Sequence, residues 1–444
     1  MSMTRLAAIS LLTLTALSPL LPAAAAQEAS DGAATFADAA TLDLLWVFLA
    51  AVLVFLMQGG FALLGAGAVR AKNTVNYLMK SVMDFSLGAL VFFAVGFAFM
   101  FGTGNAYLGW TNFGLAGATD PASLIFFLFQ VMFAATAATI VAGAVAERMK
   151  LGAYVVYTIA ITAFIYPVFG HWVWGGGFLA ELGMVDFAGS GVVHGVGGLL
   201  ALVAAAVLGP RLGRYGADGK PRAMPGHNQV YIVLGTLLLF FGWFGFNAGS
   251  TLSASDPGVA LIAVNTFLAG AAGATAVFVA QLISGPQDLG RVCNGMLGGL
   301  VAVTAPCAFI APWAALVVGG IGGLTYLGGA ALLERIRIDD PVGAIPVHGF
   351  CGLFGVIAVG IFADGTGGVT GLVGGEVEQL LAQLAGAGVL LAWTLGTGFI
   401  LFKGLDLVMG LRIGSKEEQT GLDEFHHGGS AYPELTAVLG VFRK

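Results

Sequence analysis

Apolar residues run along this chain in long blocks separated by short polar joints. Eleven blocks stand out, at about 43–69, 80–103, 123–147, 151–174, 189–209, 229–248, 258–281, 292–310, 313–334, 345–363 and 384–411. Blocks of this length match the ~20 residues an α-helix needs to cross a bilayer. The pattern therefore predicts an all-α polytopic membrane protein whose transmembrane domain spans 43–411. A shorter apolar stretch, Leu6 to Leu21, follows Arg5, is broken by Pro19 and ends at Ala24-Ala25-Ala26. It reads as a signal peptide over 1–26, not as a span. An acidic segment, 27–42, is expected outside the membrane and a polar tail, 412–444, inside.

Composition agrees. Hydrophobic residues make up 58% of the chain and charged residues 9%, against roughly 25% charged in soluble domains. The length would suit two or three soluble domains, but the apolar blocks exclude that class. Glycine supplies 69 of 444 residues, about twice the usual ~7%. In a membrane protein such small residues let helices approach closely. Cys293, Cys307 and Cys351 all lie in apolar blocks without metal-type spacing, and are expected as small buried hydrophobes.

The basic residues set an orientation. If the mature N-terminus is outside, the joints after odd-numbered spans face the cytoplasm. Those joints and the tail hold sixteen of the eighteen Lys and Arg residues, Lys80 at the edge of the second span included. Arg5 lies in the leader and Lys403 inside the last span; the outer joints have none. The positive-inside rule then predicts eleven spans, N-terminus out and C-terminus in.

Two segments break the apolar pattern in the same way. Asp186-Phe-Ala-Gly-Ser-Gly-Val-Val-His194-Gly heads the fifth block, and Asp340-Pro-Val-Gly-Ala-Ile-Pro-Val-His348-Gly heads the tenth. Each places Asp eight residues before His-Gly. The predicted orientation makes them antiparallel, as in an inverted repeat of spans 1–5 and 6–10 with an extra eleventh. An eight-residue helical offset of about 12 Å brings both imidazoles near mid-depth, where ionisable groups are costly and mark function. His194 and His348 are expected to meet and share a hydrogen bond. One such histidine alone would read first as a satisfied core residue; a metal or haem ligand is the weaker reading, because no Cys, Asp or Glu stands beside them at that depth.

Other polar and aromatic groups sit near the outer ends. His171-Trp-Val-Trp174-Gly-Gly-Gly closes the fourth block. Tryptophan is common at membrane interfaces, but an indole face also attracts a cation. Gly242-Trp-Phe-Gly-Phe246-Asn-Ala-Gly-Ser250 closes the sixth, and its Ser250 can accept a hydrogen bond from an N–H donor. Phe129 and Phe133 share a face of the third, as core packing or as a steric gate. Asp186 suits a helix start, accepting backbone N–H groups. Asp84, near the inner end of the second block, and the pair Lys403 and Asp406 read as structural.

These segments, with Asn73-Thr-Val-Asn-Tyr-Leu-Met-Lys-Ser-Val-Met-Asp84, Gly143-Ala-Val-Ala-Glu-Arg148 and Val347-His-Gly-Phe-Cys-Gly352, together resemble the ammonium transporter family (Amt/Mep/Rh), and its bacterial Amt branch in particular. The resemblance covers about 40–432. It implies a non-enzymatic transporter of ammonium or ammonia in the bacterial inner membrane, a homotrimer with one pore per subunit. It implies an outer ammonium site of Trp174, Ser250 and Phe133, a stacked gate of Phe133 and Phe246, a pore lined by His194 and His348, and support from Asp186. A PII-type signal protein is the implied cytoplasmic partner; no cofactor, metal or nucleic acid is expected. An ammonium sensor acting through that partner is the alternative, and a channel for another small neutral solute a further one. Gly429 stands where the family's tail motif has Glu, Thr304-Ala-Pro306-Cys307 reverses an expected Pro-Ala order, and Gly65 stands where many relatives carry Glu.

Overall fold

The computed structural model describes residues 38–434. The leader at 1–26 and most of the segment 27–42 lie outside the described residues. Among the described residues there are helices and isolated bridges but no strand.

Among the described residues ten helices are long and apolar enough to cross a membrane: α1 (Ala39–Ala68), α2 (Ala71–Phe101), α3 (Pro121–Val145), α4 (Leu151–Glu181), α5 (Ser190–Leu208), α6 (Gln229–Thr251), α7 (Gly258–Ser284), α9 (Pro312–Arg335), α10 (Ile345–Phe362) and α11 (Glu378–Met409). The expected eighth span is different. Its helix, α8 (Leu289–Val303), has 15 residues, about 22 Å, short of the ~30 Å of hydrocarbon. Residues 304–310 continue as turns, beginning at Thr304-Ala-Pro306. Proline at 306 lacks the N–H that would continue the ladder. The block 292–310 carries no charge and only Asn294 and Thr304 as polar residues, so hydropathy could not reveal the break.

A second correction concerns α2, which starts near Ala71 and not at 80. Lys80 is therefore no joint residue. It is buried inside α2, and its Nζ donates to the Met149 carbonyl at 2.9 Å. Asp84 moves with it, to about 20 Å along the helix, well away from the inner end.

Helices α3 and α5 form the centre. From Phe129 onward every residue of α3 is buried, as expected of a helix apolar on all sides. The segments bearing the two histidines cross beside it, and glycine permits that crossing. A Cβ on Gly198 would lie 2.0 Å from the Gly349 nitrogen, and one on Gly352 would lie 2.4 Å from the Ser190 carbonyl and 2.8 Å from the Gly195 nitrogen. The pairs match in register: Gly198 and Gly352 each follow their histidine by four residues, Gly195 and Gly349 by one.

Below the helices lies a buried ionic layer. Arg211 bonds Asp339 (2.8 Å) and Glu147 (3.0 Å), Glu147 also pairs with Arg70, and Arg214 reaches Asp339 and Glu334. Burial alone would raise the Asp339 carboxyl, but the hydrogen bonds and charge of Arg211 outweigh it and hold it at about 2. The tail folds back under this layer as α12 (Ser415–Thr420) and α13 (Leu422–His427). Asp423 accepts the Val75 and Asn76 N–H groups at 2.9 and 2.8 Å, satisfying orphan donors at the start of α2. Glu418 pairs with Arg412 at 2.7 Å. Lys403 and Asp406 pair as expected, at 3.2 Å.

Candidate functional site: an aromatic and imidazole path

Each histidine sits in a π-helical turn, Ser190–Gly195 for His194 and Ile345–Phe350 for His348. Such turns add a residue to the helical ring and recur at functional positions. Each turn is started by its aspartate. Asp186 accepts four backbone N–H groups, those of Gly189, Ser190, Gly191 and Val192, at 2.8–2.9 Å. Asp340 accepts those of Gly343 and Ile345 at 3.0 and 2.7 Å. Both carboxyls thus fasten the start of a helix. The eight residues from Asp to His are therefore not one helical rise, as the spacing suggested: the first half is loop.

The imidazoles do meet. His348 Nδ1 lies 3.1 Å from His194 Nδ1, with ring centroids 5.2 Å apart. In a neutral pair one Nδ1 carries the shared proton and the other accepts it. His194 Nε2 is buried and has no hydrogen-bond partner in the protein.

Aromatic rings continue the series from His194. Phe246 stacks on His194 at 5.2 Å and Phe133 on Phe246 at 4.2 Å, and Trp174 meets Phe133 edge-on at 6.2 Å. Phe133, Trp174 and Ser250 then line a cavity of about 320 Å³ with Phe129, Gln130 and Phe187. The Trp174 indole N–H is spent on the Asp186 carbonyl at 2.7 Å, so the indole face remains for the cavity. Ser250 donates to the Phe246 carbonyl at 2.7 Å, leaving its oxygen lone pairs as acceptors. The residues expected at the outer site and those expected at the pore are therefore contiguous. Asp186 is the exception, because its side chain is buried behind them.

On the side of the pair away from Phe246, His348 lines a chamber of about 20 Å³ with Phe61, Tyr77 and Thr139, room for about one water. That chamber shares Leu64, Asn294, Val342 and Gly343 with a wider inner cavity of about 240 Å³.

Sequence reasoning missed three residues here. Trp243 stacks on His194 at 5.1 Å and donates its indole N–H to Thr304 Oγ1 at 2.9 Å; its place beside Phe246 in the quoted string was the only signal. Phe61 packs on His348 at 5.9 Å. Tyr77 fills the room left by Gly65, where a Cβ would lie 2.0 Å from its hydroxyl. The glycine at 65 was the visible half of that exchange.

The family model described as "Ammonium Transporter Family" matches residues 45–432. The chain belongs to the ammonium transporter family. It is 48% identical over 442 residues to ammonium transporter Amt2 of Archaeoglobus fulgidus, covering 94% of each chain. It is 40% identical over 409 residues to ammonium transporter 1 member 1 of Arabidopsis thaliana, covering 83% of this chain and 81% of that one. Among solved structures, one titled "Sensor Amt Protein" superposes with TM-score 0.83 at 38% identity, covering 87% of this chain and 98% of that one. Candida albicans Mep2 superposes with TM-score 0.78 at 30% identity, covering 85% and 87%. Membership of an ammonium transporter family and ten apolar helices make this a multi-pass membrane protein with a transporter's fold.

Proposed function

We propose that this family member carries ammonium inward by separating it into ammonia and a proton at the outer aromatic site. The observation that supports this most directly is the unbroken series Trp174, Phe133, Phe246, His194, His348, running from the outer cavity to the inner chamber. An ammonium ion meets the Trp174 face, worth roughly 0.5–2 kcal/mol, and donates to Ser250. It cannot cross the dry centre as a bare ion without a penalty of several kcal/mol. It therefore gives up its proton near the Phe133 and Phe246 gate, and ammonia passes along the imidazoles. His194 and His348 serve as hydrogen-bond partners for ammonia and as a route for the proton. Asp186 acts by fixing the outer helix start.

The same reading takes the short α8 with its turns as an eleventh crossing, N-terminus out and C-terminus in. The matched contacts of His194 and His348 then belong to an inverted repeat. Residues 1–26 serve as a leader, 27–42 lie outside, 43–411 form the transport domain and 412–444 the cytoplasmic tail. We place the protein in a bacterial inner membrane as a homotrimer, with a PII-type protein as partner of the tail.

Current in reconstituted vesicles, measured against ammonium concentration and pH, tests the mechanism. Wild type is expected to give an ammonium-driven current that is lost when His194 and His348 are both made apolar. Full current in that double variant excludes the proton route. A second reading, an ammonium sensor, draws on the structural neighbour titled "Sensor Amt Protein" and on the docked tail. Absence of labelled methylammonium uptake in a transporter-deficient strain, together with ammonium-dependent capture of a PII-type protein, favours the sensor.

A further inference from the structure

Gln130 is a polar residue in the buried part of α3, where it is 7% exposed. Its Oε1 is buried and has no hydrogen-bond partner in the protein. No hydrogen bond reaches its Nε2 either, among the described residues. The other polar side chains of this part of α3 are paired. Thr136 and Thr139 each donate to a carbonyl one turn back, and each meets the Gln58 amide at 3.1 Å. Gln130 alone among them is left without a partner in the protein.

Its place says what could complete it. Phe126, Phe129, Gln130 and Phe133 fall three and four residues apart, on one face of α3. All four line the outer cavity of about 320 Å³, with Trp174 and Ser250. A buried amide with no partner is rare and costly, and points to a group that is bound there. Glutamine carries an acceptor at one end of its amide and two donors at the other. Nothing in the protein fixes which end faces the cavity, and a cation there selects the oxygen. Ammonium brings four N–H donors. The Trp174 face and the Ser250 oxygen engage two of them, and the phenyl rings offer no strong acceptor for the rest.

We propose that the Gln130 amide oxygen is a second hydrogen-bond acceptor for ammonium in the outer cavity, beside Ser250, and that it sets the preference for ammonium over methylated amines. This role rests on the outer-site reading above. The amide turns about its last side-chain bond until Oε1 meets an N–H of the ion, and no covalent bond changes. Methylammonium has a methyl group where ammonium has its fourth N–H. A cavity with the Ser250 oxygen, the Gln130 oxygen and the indole face uses more of the donors that ammonium carries. A cavity with Ser250 and the indole alone discriminates less between the two.

Currents of the full chain in reconstituted vesicles, driven by ammonium and by methylammonium, test this. Gln130→Met keeps the length of the side chain and removes the acceptor. It is expected to raise the half-saturating ammonium concentration roughly tenfold, the effect of losing one hydrogen bond to a charged group. The methylammonium value is expected to rise less. Gln130→Glu restores an oxygen acceptor and is expected to bring the ammonium value back toward wild type. An unchanged half-saturation in Gln130→Met, an equal rise for both amines, or no recovery in Gln130→Glu overturns the proposal. Where either variant fails to fold, structures of wild type solved in ammonium and in sodium salts decide. Ammonium-dependent density within hydrogen-bonding distance of the Gln130 amide supports the role, and density at Ser250 and Trp174 alone overturns it. If wild type carries no ammonium-driven current, the transport reading fails instead, and the same two structures decide the role of Gln130.

Discussion

Gly198 and Gly349 touch backbone to backbone where the segments bearing the two histidines cross. A Cβ on Gly198 would fall 2.0 Å from the Gly349 nitrogen, so Gly198→Ala must push α5 away from α10. Overpacking of this kind costs about 1–3 kcal/mol. Shifting the imidazoles apart by even an ångström is expected to lower transport by roughly tenfold or more. Thermal melts in detergent and uptake by reconstituted protein check both. Wild-type uptake in Gly198→Ala would show that the close approach has no bearing on the pore.

Tyr77 occupies the room that Gly65 leaves. Gly65→Ala places a methyl 2.0 Å from the Tyr77 hydroxyl and is expected to displace that ring from the inner chamber. Adding Tyr77→Ala removes the clash. A double-mutant cycle on melting stability should therefore give a favourable coupling of about 0.5–3 kcal/mol. Additive losses would mean the two positions do not compete for the same space.

The Asp339 carboxyl is held at about 2 by Arg211, below its ordinary 3.8. A depressed carboxyl stabilises the fold fully above its unfolded value, and that stabilisation is lost as pH falls through the folded one. Stability is thus expected to drop between about pH 4 and pH 2, by on the order of 2 kcal/mol from this group. Asp339→Asn should flatten that part of the profile while lowering stability at neutral pH, because Arg211 then loses its main partner. An unchanged acid limb in Asp339→Asn argues against this assignment.

Asp423 satisfies two N–H groups at the start of α2, beside the Leu422 N–H on Asn73 and the His427 contact with Asn76 from the same short helix. Asp423→Ala is expected to cost about 1 kcal/mol locally. It should release the tail, read as faster proteolysis beyond residue 420 with the transmembrane fragment intact. Equal proteolysis rates in variant and wild type would place the tail's anchorage elsewhere, at Glu418 and Lys72.

Much of this was legible in the chain. Long apolar blocks located the ten helices that, among the described residues, are long enough to cross a membrane, and the repeated Asp and His-Gly spacing located a pair of imidazoles that do meet. What stayed hidden was geometry that composition does not encode. An apolar block looks the same whether it continues as helix or breaks at Thr304-Ala-Pro306. A span's start is blurred when a lysine such as Lys80 is buried inside it, against the expectation that charge marks an end. Tyr77 is an ordinary aromatic in sequence; only its contact with Gly65, twelve positions earlier, turns it toward the path. Asp84 looked peripheral for the same reason as Lys80, and it is central once α2 is seen to begin near Ala71.

The bond between the two Nδ1 atoms has one proton to share. The frame around it repeats itself: two aspartate-capped starts, two π-helical turns, two pairs of crossing glycines. The pair inside cannot repeat itself. Whichever ring supplies the proton leaves its own Nε2 bare, and the other ring must carry its hydrogen at Nε2. The two tautomeric arrangements are near mirror images that differ in which side of the membrane sees a donor. A proton handed through the pair converts one arrangement into the other, so a second proton cannot follow until the rings have reset. On the proposed proton route, such a pair passes one proton and then needs a reset before it can pass the next.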